Sequence, residues 1–337
     1  MKKKIAKSIP WQLVPLSLLQ KMSGRHFVLP FYHIVYPSTR PHIRYLYRYF
    51  TPEEFNKQID YFLKHWQPIS YEELIKLHQN GNLNKSKVFH LTFDDGLYEC
   101  YDVIAPILYK KGVPATFFVH SQALENPAFC FYRFKISLLI WHVRKNGLSQ
   151  KVKILLKKHY DIQLQSIKHL LKTVDHKNIH VIDFLWKETS FDYDKYLSDR
   201  PIYMSMNEIN KLMENGFQIG SHSLNHIRFS TLSFEDQWRE FEEDKLKVEK
   251  LLGMKNIPFA FPFGDQGVKI SFFNKVKKHY PETLLFGSGL FSSDHADNIV
   301  HRVPMENFHM QPEKSIPALY FHHSVKKLLG RETIYRK

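Results

Sequence analysis

The stretch Lys87-Val88-Phe89-His90-Leu91-Thr92-Phe93-Asp94-Asp95-Gly96 decides the fold. Its first seven residues, KVFHLTF, are a short apolar run with β-branched and aromatic members, and they read as a buried strand. The run ends on two consecutive carboxylates and a glycine that lets the backbone turn. Successive side chains of an extended segment diverge, so at a strand end the two aspartates can do different work. Reactive groups of parallel α/β folds sit at the carboxyl ends of strands. The flanking sequence is therefore read for alternating strands and helices.

On the N-terminal side, Val28 to Val35 (VLPFYHIV) reads as a first buried strand. Thr51-Pro52-Glu53-Glu54 and the Ser70 and Glu73 pair are capping boxes that start two helices, the second ended by Gly81. On the C-terminal side, a helix over Tyr101 to Lys110 closes at Gly112, and Ala115 to Val119 is a strand. Ser205 and Glu208 cap a helix that stops at Gly216, Phe217 to Gly220 leads to His222, and Phe234 to Leu252 is a long amphipathic helix ending at Gly253. A strand at Ile257 to Phe261, a helix near Ile270 to His279 and a strand at Thr283 to Phe286 complete the series. This alternation implies a parallel sheet, open or closed into a barrel. Pro127 to Asp199 interrupts it: the stretch is rich in Lys and His, favours helix at Ser137 to Val143 and Val152 to His159, and reads as a helical insertion. His90, between Phe89 and Leu91, reads as a neutral core histidine.

With 337 residues, 43% of them hydrophobic, the chain is long enough to bury a full core and too apolar to be disordered. Its 48 Lys and Arg against 33 Asp and Glu leave a net charge of +15, which points to an anionic partner such as a lipid surface or a phosphate-bearing glycan carrier. The basic residues are spread along the chain without a zinc-finger or RNP-type signature, so nucleic acid is not an expected partner. Two cysteines, Cys100 and Cys130, exclude a disulfide framework and an all-cysteine zinc site. Residues 1–25 join a lysine-rich start to Trp11, Leu13, Leu16, Leu18 and Leu19, but Pro10, Gln12 and Pro15 interrupt the run and no small-residue cleavage site follows. The segment reads as a packed helix or as an interfacial one lying on an anionic leaflet. The expectation is a cytoplasmic chain, peripheral at the inner membrane face. Residues 311–337 read as a basic helical tail in which His322 and His323 are solvated.

A second motif, Ser221-His222-Ser223-Leu224-Asn225-His226, also follows a predicted strand. Two histidines four apart share a face if the backbone turns helically, which suits two imidazoles on one metal. With one aspartate from the first motif they make three protein ligands, leaving a position for water as catalytic zinc-type sites do. A divalent ion there lowers the pKa of its water to about 7 and polarises a substrate carbonyl. Amide hydrolysis then needs a base and an acid.

Thr92-Phe93-Asp94-Asp95-Gly96, the His222 and His226 motif and the later Pro262-Phe263-Gly264 turn together resemble the polysaccharide deacetylase family, with its NodB homology fold. The resemblance covers about Val28 to His120 and Tyr203 to Asn307. It implies a distorted (β/α) barrel over residues 26–310, interrupted by the helical insertion at 127–199, in an enzyme that hydrolyses N- or O-acetyl groups on sugars. It also implies Asp94 as general base, and Asp95, His222 and His226 as ligands of one divalent transition metal, zinc first, with cobalt or nickel as alternatives. Pro262, Phe263 and Gly264 would line the substrate groove. The chain departs from the family pattern at two places. Ala260 stands where the family carries an arginine that orients the base, and Arg302 can supply that charge from another direction. The family's late Leu-x-x-His acid has no counterpart, so His301, His309, His322 and His33 compete for that role, His33 being expected to face the site and its substrate. The expected substrate is an acetylated amino sugar, N-acetyl first, in a cell-surface glycan or its phosphate-linked precursor. The competing reading is a non-catalytic glycan- or lipid-binding protein on the same fold.

Overall fold

The computed structural model describes residues 14–126, 128–199, 201–307 and 311–337. Trp11 and Leu13 of the expected interfacial segment, Pro127 at the start of the expected insertion, and His309 lie outside the described residues. The strands, in chain order, are β1 (Pro30–Tyr32), β2 (Gln67–Pro68), β3 (Val88–Phe89), β4 (Leu91–Phe93), β5 (Ala115–Val119), β6 (Gln218–Ser221), β7 (Phe259–Ala260), β8 (Leu285–Gly287), β9 (Ser293–Asp294), β10 (Ile299–His301), β11 (Val303–Pro304) and β12 (Thr333–Ile334). Eight of them form one sheet in the order β10-β8-β7-β6-β5-β4-β1-β11, with every pair parallel.

The two ends of that order are neighbours in sequence, because only Arg302 separates β10 from β11. The first half of this segment pairs with β8, His301 opposite Gly287, and the second half pairs with β1, Val303 opposite Pro30. The Arg302 N–H donates to Gly287 O at 3.0 Å and the Val303 N–H to Leu29 O at 2.8 Å. Of the two forms the alternating pattern allowed, the sheet takes the barrel, and closure leaves no long edge to pair with another chain.

Strand alternation sorts the side chains into two populations. Leu91, Phe93, Ala115, Phe117, Val119 and Ile219 pack outward with helix residues Phe55, Ile59, Phe62, Ile209, Leu212 and Val248. Leu29, Phe118, Ala260, Phe286 and Val300, on or beside five of the eight strands, pack together inside it. Gly220 belongs to this inner row: a Cβ there would lie 2.6 Å from the Phe118 ring and 2.8 Å from Pro258 O.

Capping boxes at Thr51 and Ser70 start the helices Pro52–His65 and Tyr71–Gln79, and Phe234–Leu252 and Ile270–His279 have the expected limits. The expected strand Lys87 to Phe93 breaks at His90. Its first part pairs with β2 and its second enters the barrel. The buried His90 ring donates from Nδ1 to Ile69 O at 2.8 Å and accepts at Nε2 from the Thr116 hydroxyl at 2.9 Å. Burial pushes its pKa down to about 4, so it is the neutral core histidine the sequence suggested. The strand expected over Ile257 to Phe261 shrinks to β7, because Pro258 and Pro262 have no N–H to give a ladder. His323 is buried rather than solvated, at 4% exposure: Ile316, Leu319, Tyr320 and His323 recur at helical spacing along Pro312–Leu328 and form its packed face. No helix among the described residues is long and apolar enough to cross a membrane.

The chain divides into two compact units. The barrel unit holds the residues up to Val35, Tyr49–Glu125 and Tyr203–Lys337. The other joins Tyr36–Arg48 to Asn126–Ile202 and has its own core, including Ile136, Leu139, Ile140, Val152, Leu156 and Leu185. Tyr36–Arg48 was no part of the insertion read from sequence. It is tied there by the Ser137 hydroxyl, which donates to Pro41 O at 2.8 Å, and by His42, 2.8 Å from the Tyr196 hydroxyl.

Candidate active site and candidate metal centre

The inner row of the barrel continues past the carboxyl ends of the strands. Asp94 and Asp95 follow β4, His120 follows β5 and His222 follows β6. One ring nitrogen each of His120, His222 and His226 and one carboxylate oxygen of Asp95 all lie within 4.8 Å of one another, and all four residues are buried. The Asp95 oxygen is 3.1 Å from His226 Nε2 and 3.5 Å from His222 Nε2. Asp95 holds a left-handed φ of 73°, a conformation aspartate tolerates better than most residues, and this turns the second carboxylate away from the first. Burial alone would raise its pKa, but His226 and His222 hold it well below the usual carboxylate range.

The backbone between the two motif histidines is not helical. Ser223 and His226 both take left-handed φ values, 76° and 51°, and this loop brings the ring centroids to 5.3 Å. His222 donates from Nδ1 to Ala260 O at 2.8 Å, which leaves Nε2 to face Asp95. Ala260, at the position of the family's arginine, thus contributes a backbone carbonyl. The helix Phe234–Leu252 braces the loop from outside. Its Asp244 accepts the N–H groups of Ser121 at 2.7 Å and His222 at 3.1 Å, and Glu240 accepts that of Asn225 at 2.8 Å. Imidazole nitrogens and a carboxylate converging in a buried group are the donor set of a divalent transition metal, and the residues fit one.

Asp94 faces a different partner. Its carboxylate takes both arms of the Arg302 guanidinium, Nη1 to Oδ1 at 2.6 Å and Nη2 to Oδ2 at 2.9 Å, while Nη1 also reaches the Thr92 hydroxyl at 2.8 Å. The guanidinium is 1% exposed and lies 4.3 Å from the ring centre of Phe31, 5.3 Å from Phe118 and 5.8 Å from Phe286. Burial would raise the Asp94 pKa; the Arg302 charge, with His222 assisting, keeps it below its ordinary value. Asp94 Oδ2 is 3.9 Å from His222 Nε2, so both aspartates approach the same imidazole.

His33 stands at the end of β1 with its Nδ1 2.5 Å from Glu306 Oε2, and Glu306 Oε1 accepts the N–H groups of His33 and Ile34 at 2.7 and 3.2 Å. Burial works against the imidazolium, but Glu306, aided by Asp95 and Asp94, carries its pKa up to about 9. The ring remains partly open, at 21% exposure. At the rim the Phe263 ring lies 4.7 Å from that of His226, centre to centre, with the Arg228 guanidinium 5.1 Å away. Pro262 beneath it is buried. Gly264 has a φ of 97°, and a Cβ there would collide with the Ser288 hydroxyl.

His301 does not join this group. It neighbours Arg302 on an extended segment, so its ring points to the opposite side. There it accepts the Gly289 N–H at 3.0 Å and donates to Asp294 at 2.9 Å. Asp265, Asp294 and His301 form a second cluster of possible ligands, but Arg336 already bridges both carboxylates, at 2.6 and 2.5 Å, and supplies the positive charge. His322 is half-buried on the helix Pro312–Leu328, outside the metal-ligand group. His120, Glu306, Asp244 and Glu240 escaped the sequence reading. His120 carried a usable signal, since it follows a strand as His222 does and lies two residues beyond the inward Phe118. Glu306 carried none.

The polysaccharide deacetylase family model matches residues 81–279. No curated protein sequence matches the chain. Among solved structures, the Streptococcus pyogenes deacetylase PplD in complex with acetate is 15% identical with a TM-score of 0.55, over 87% of this chain and 97% of that one. IcaB from Ammonifex degensii is 16% identical with a TM-score of 0.52, over 88% and 98%. A de-N-acetylase from Aggregatibacter actinomycetemcomitans is 13% identical with a TM-score of 0.51, over 86% and 98%. At such identities these structures speak for the fold alone, and they share it over nearly their whole length. Because the domain match spans more than half of the sequence, the chain belongs to the polysaccharide deacetylase family and is a hydrolase of carbon–nitrogen bonds other than peptide bonds.

Proposed function

We propose that the protein is a metal-dependent deacetylase that removes the N-acetyl group of an amino sugar in a cell-surface glycan or its phosphate-linked precursor. The observation that carries this reading is the division of labour between adjacent aspartates: Asp94 is held by a guanidinium, and Asp95 by imidazoles. A merely binding site has no use for that division. Asp95, His222 and His226 would hold one divalent transition metal, with zinc, cobalt and nickel as the candidates their chemistry admits. When bound, such an ion acidifies water and polarises the acetyl carbonyl.

The chain's own residues supply the proton traffic. Asp94, kept ionised by Arg302, takes the proton of the attacking water as its oxygen bonds to the acetyl carbon. Protonated His33, steadied by Glu306, gives its proton to the sugar nitrogen as the carbon–nitrogen bond breaks, so acetate and a free amine leave. Phe263 offers an apolar wall beside the ligand His226. Asp94→Asn should keep the metal and lose turnover on an N-acetylated oligosaccharide, and unimpaired acetate release would refute the assignment. His33→Ala should damage cleavage of an amide far more than cleavage of an activated acetate ester, whose leaving group needs no proton.

The location of the substrate is read from the surface. Leu18 and Met22 on the helix Leu16–Ser23 and Leu328 and Leu329 at the end of Pro312–Leu328 are exposed, beside Lys21, Lys326 and Lys327, and the two helices pack on each other. Apolar side chains ringed by lysines suit an anionic leaflet. Sedimentation with vesicles containing anionic lipid but not with neutral ones, weakened by Leu328→Glu with Leu329→Glu, is the expected result. Equal behaviour with both vesicle types would remove this part of the reading.

A further inference from the structure

We infer that His120 is a fourth protein ligand of the metal. This inference rests on the metal-centre reading above and adds a donor to it.

His120 is 1% exposed, and its ring centre is 5.0 Å from that of His222 and 5.3 Å from that of His226. It is oriented in the same manner as His222. Each donates from Nδ1 to a backbone carbonyl, His120 to Ser223 O at 2.7 Å and His222 to Ala260 O at 2.8 Å, which leaves Nε2 as the donor in both. Such carbonyl-fixed tautomers are how ligating histidines are prepared. The carbonyl that holds His120 belongs to Ser223, which sits at a left-handed φ of 76°. The Ser223 hydroxyl also accepts the His226 N–H at 3.1 Å, so one strained residue orients two of the three imidazoles. His90 shows what a structural histidine inside this barrel looks like, with both nitrogens spent on Ile69 O and the Thr116 hydroxyl. His120 offers one ring nitrogen to a group of ligand atoms that all lie within 4.8 Å of one another.

A fourth protein donor would leave the hydrolytic water as a fifth ligand, a number that zinc reaches in catalytic sites and that cobalt(II) and nickel(II) also accept.

The test uses the full chain, stripped with chelator and reloaded with cobalt(II) or zinc alone. The variant is His120→Gln, which retains a polar side chain of similar reach; His120→Asn serves if it does not fold. The expected results are cobalt affinity at least tenfold weaker in the variant and paramagnetically shifted imidazole N–H resonances falling from three in the wild type to two. Unchanged affinity together with an unchanged count of shifted resonances would overturn the inference and leave His120 a packing residue. His222→Ala measured alongside separates the two levels, because metal retained in that variant would defeat the metal-centre reading itself.

Discussion

Arg302→Met removes the guanidinium while keeping much of the apolar stem among Phe31, Phe118 and Phe286. The ion pair it breaks is bidentate, at 2.6 and 2.9 Å, and almost fully buried. Two unit charges about 4 Å apart at an effective dielectric of about 20 attract by about 4 kcal/mol, and this attraction favours the ionised form of Asp94. The acid limb of kcat/KM for acetate release should move to higher pH, so that activity lost on the acid side recovers as pH rises. Leaving one buried charge unpaired also costs about 3–5 kcal/mol of stability, to be read from urea unfolding. Adding Asp94→Asn should restore most of that stability without restoring turnover. An acid limb that stays in place while stability falls would refute the reasoning, and Arg302 would be structural only.

Stability should decline on acidification through His90. Its imidazole stays neutral in the folded chain down to about pH 4 but takes a proton near pH 6.5 when unfolded. Between those values the unfolded state binds more protons, so up to about 3 kcal/mol is lost as pH falls from 6.5 to 4; His90→Gln should flatten that part of the urea-midpoint profile, and an unaltered profile would contradict it. Gly220→Ala should cost about 1–3 kcal/mol by overpacking against Phe118 and Pro258 O, and a thermal midpoint equal to the wild type would show that the barrel interior yields. Phe263→Ala should raise KM more than it lowers kcat, as loss of uniform binding does; an effect confined to kcat would instead place the ring in the chemistry.

The helices were legible because their ends are written locally: Thr51 with Glu54, Ser70 with Glu73 and Gly253 each act on residues within a turn or two of themselves. The strands were legible as strands but not in their lengths, which depend on partners, as the break at His90 shows. The same period of two that identified KVFHLTF also decides which residues face the interior. Applied beyond the strand ends, it would have set Arg302 inside and His301 outside, and would have found His120 two places after Phe118. The left-handed turns at Asp95, Ser223 and His226 could not be read, since no glycine marks them. Glu306 was equally hidden, because nothing in its neighbourhood announces that it will meet His33 from the far end of the barrel unit's sequence.

The single-residue step between β10 and β11 has a consequence for the order in which the site comes into being. The segment that joins the first strand to the last supplies Arg302, and a few residues later Glu306, whereas the histidine and aspartate cluster sits on strands already adjacent in the chain's progression from β4 to β6. Pairing Val303 with Pro30 joins positions at opposite ends of the chain, the kind of contact that forms late because its loop-closure entropy must be met first. A chain caught before that event would gather its imidazoles and Asp95 but leave Asp94 without its counterion and His33 without its carboxylate. Ion capture and hydrolytic competence would then arrive as separate milestones of folding, with the second withheld until the circle is complete.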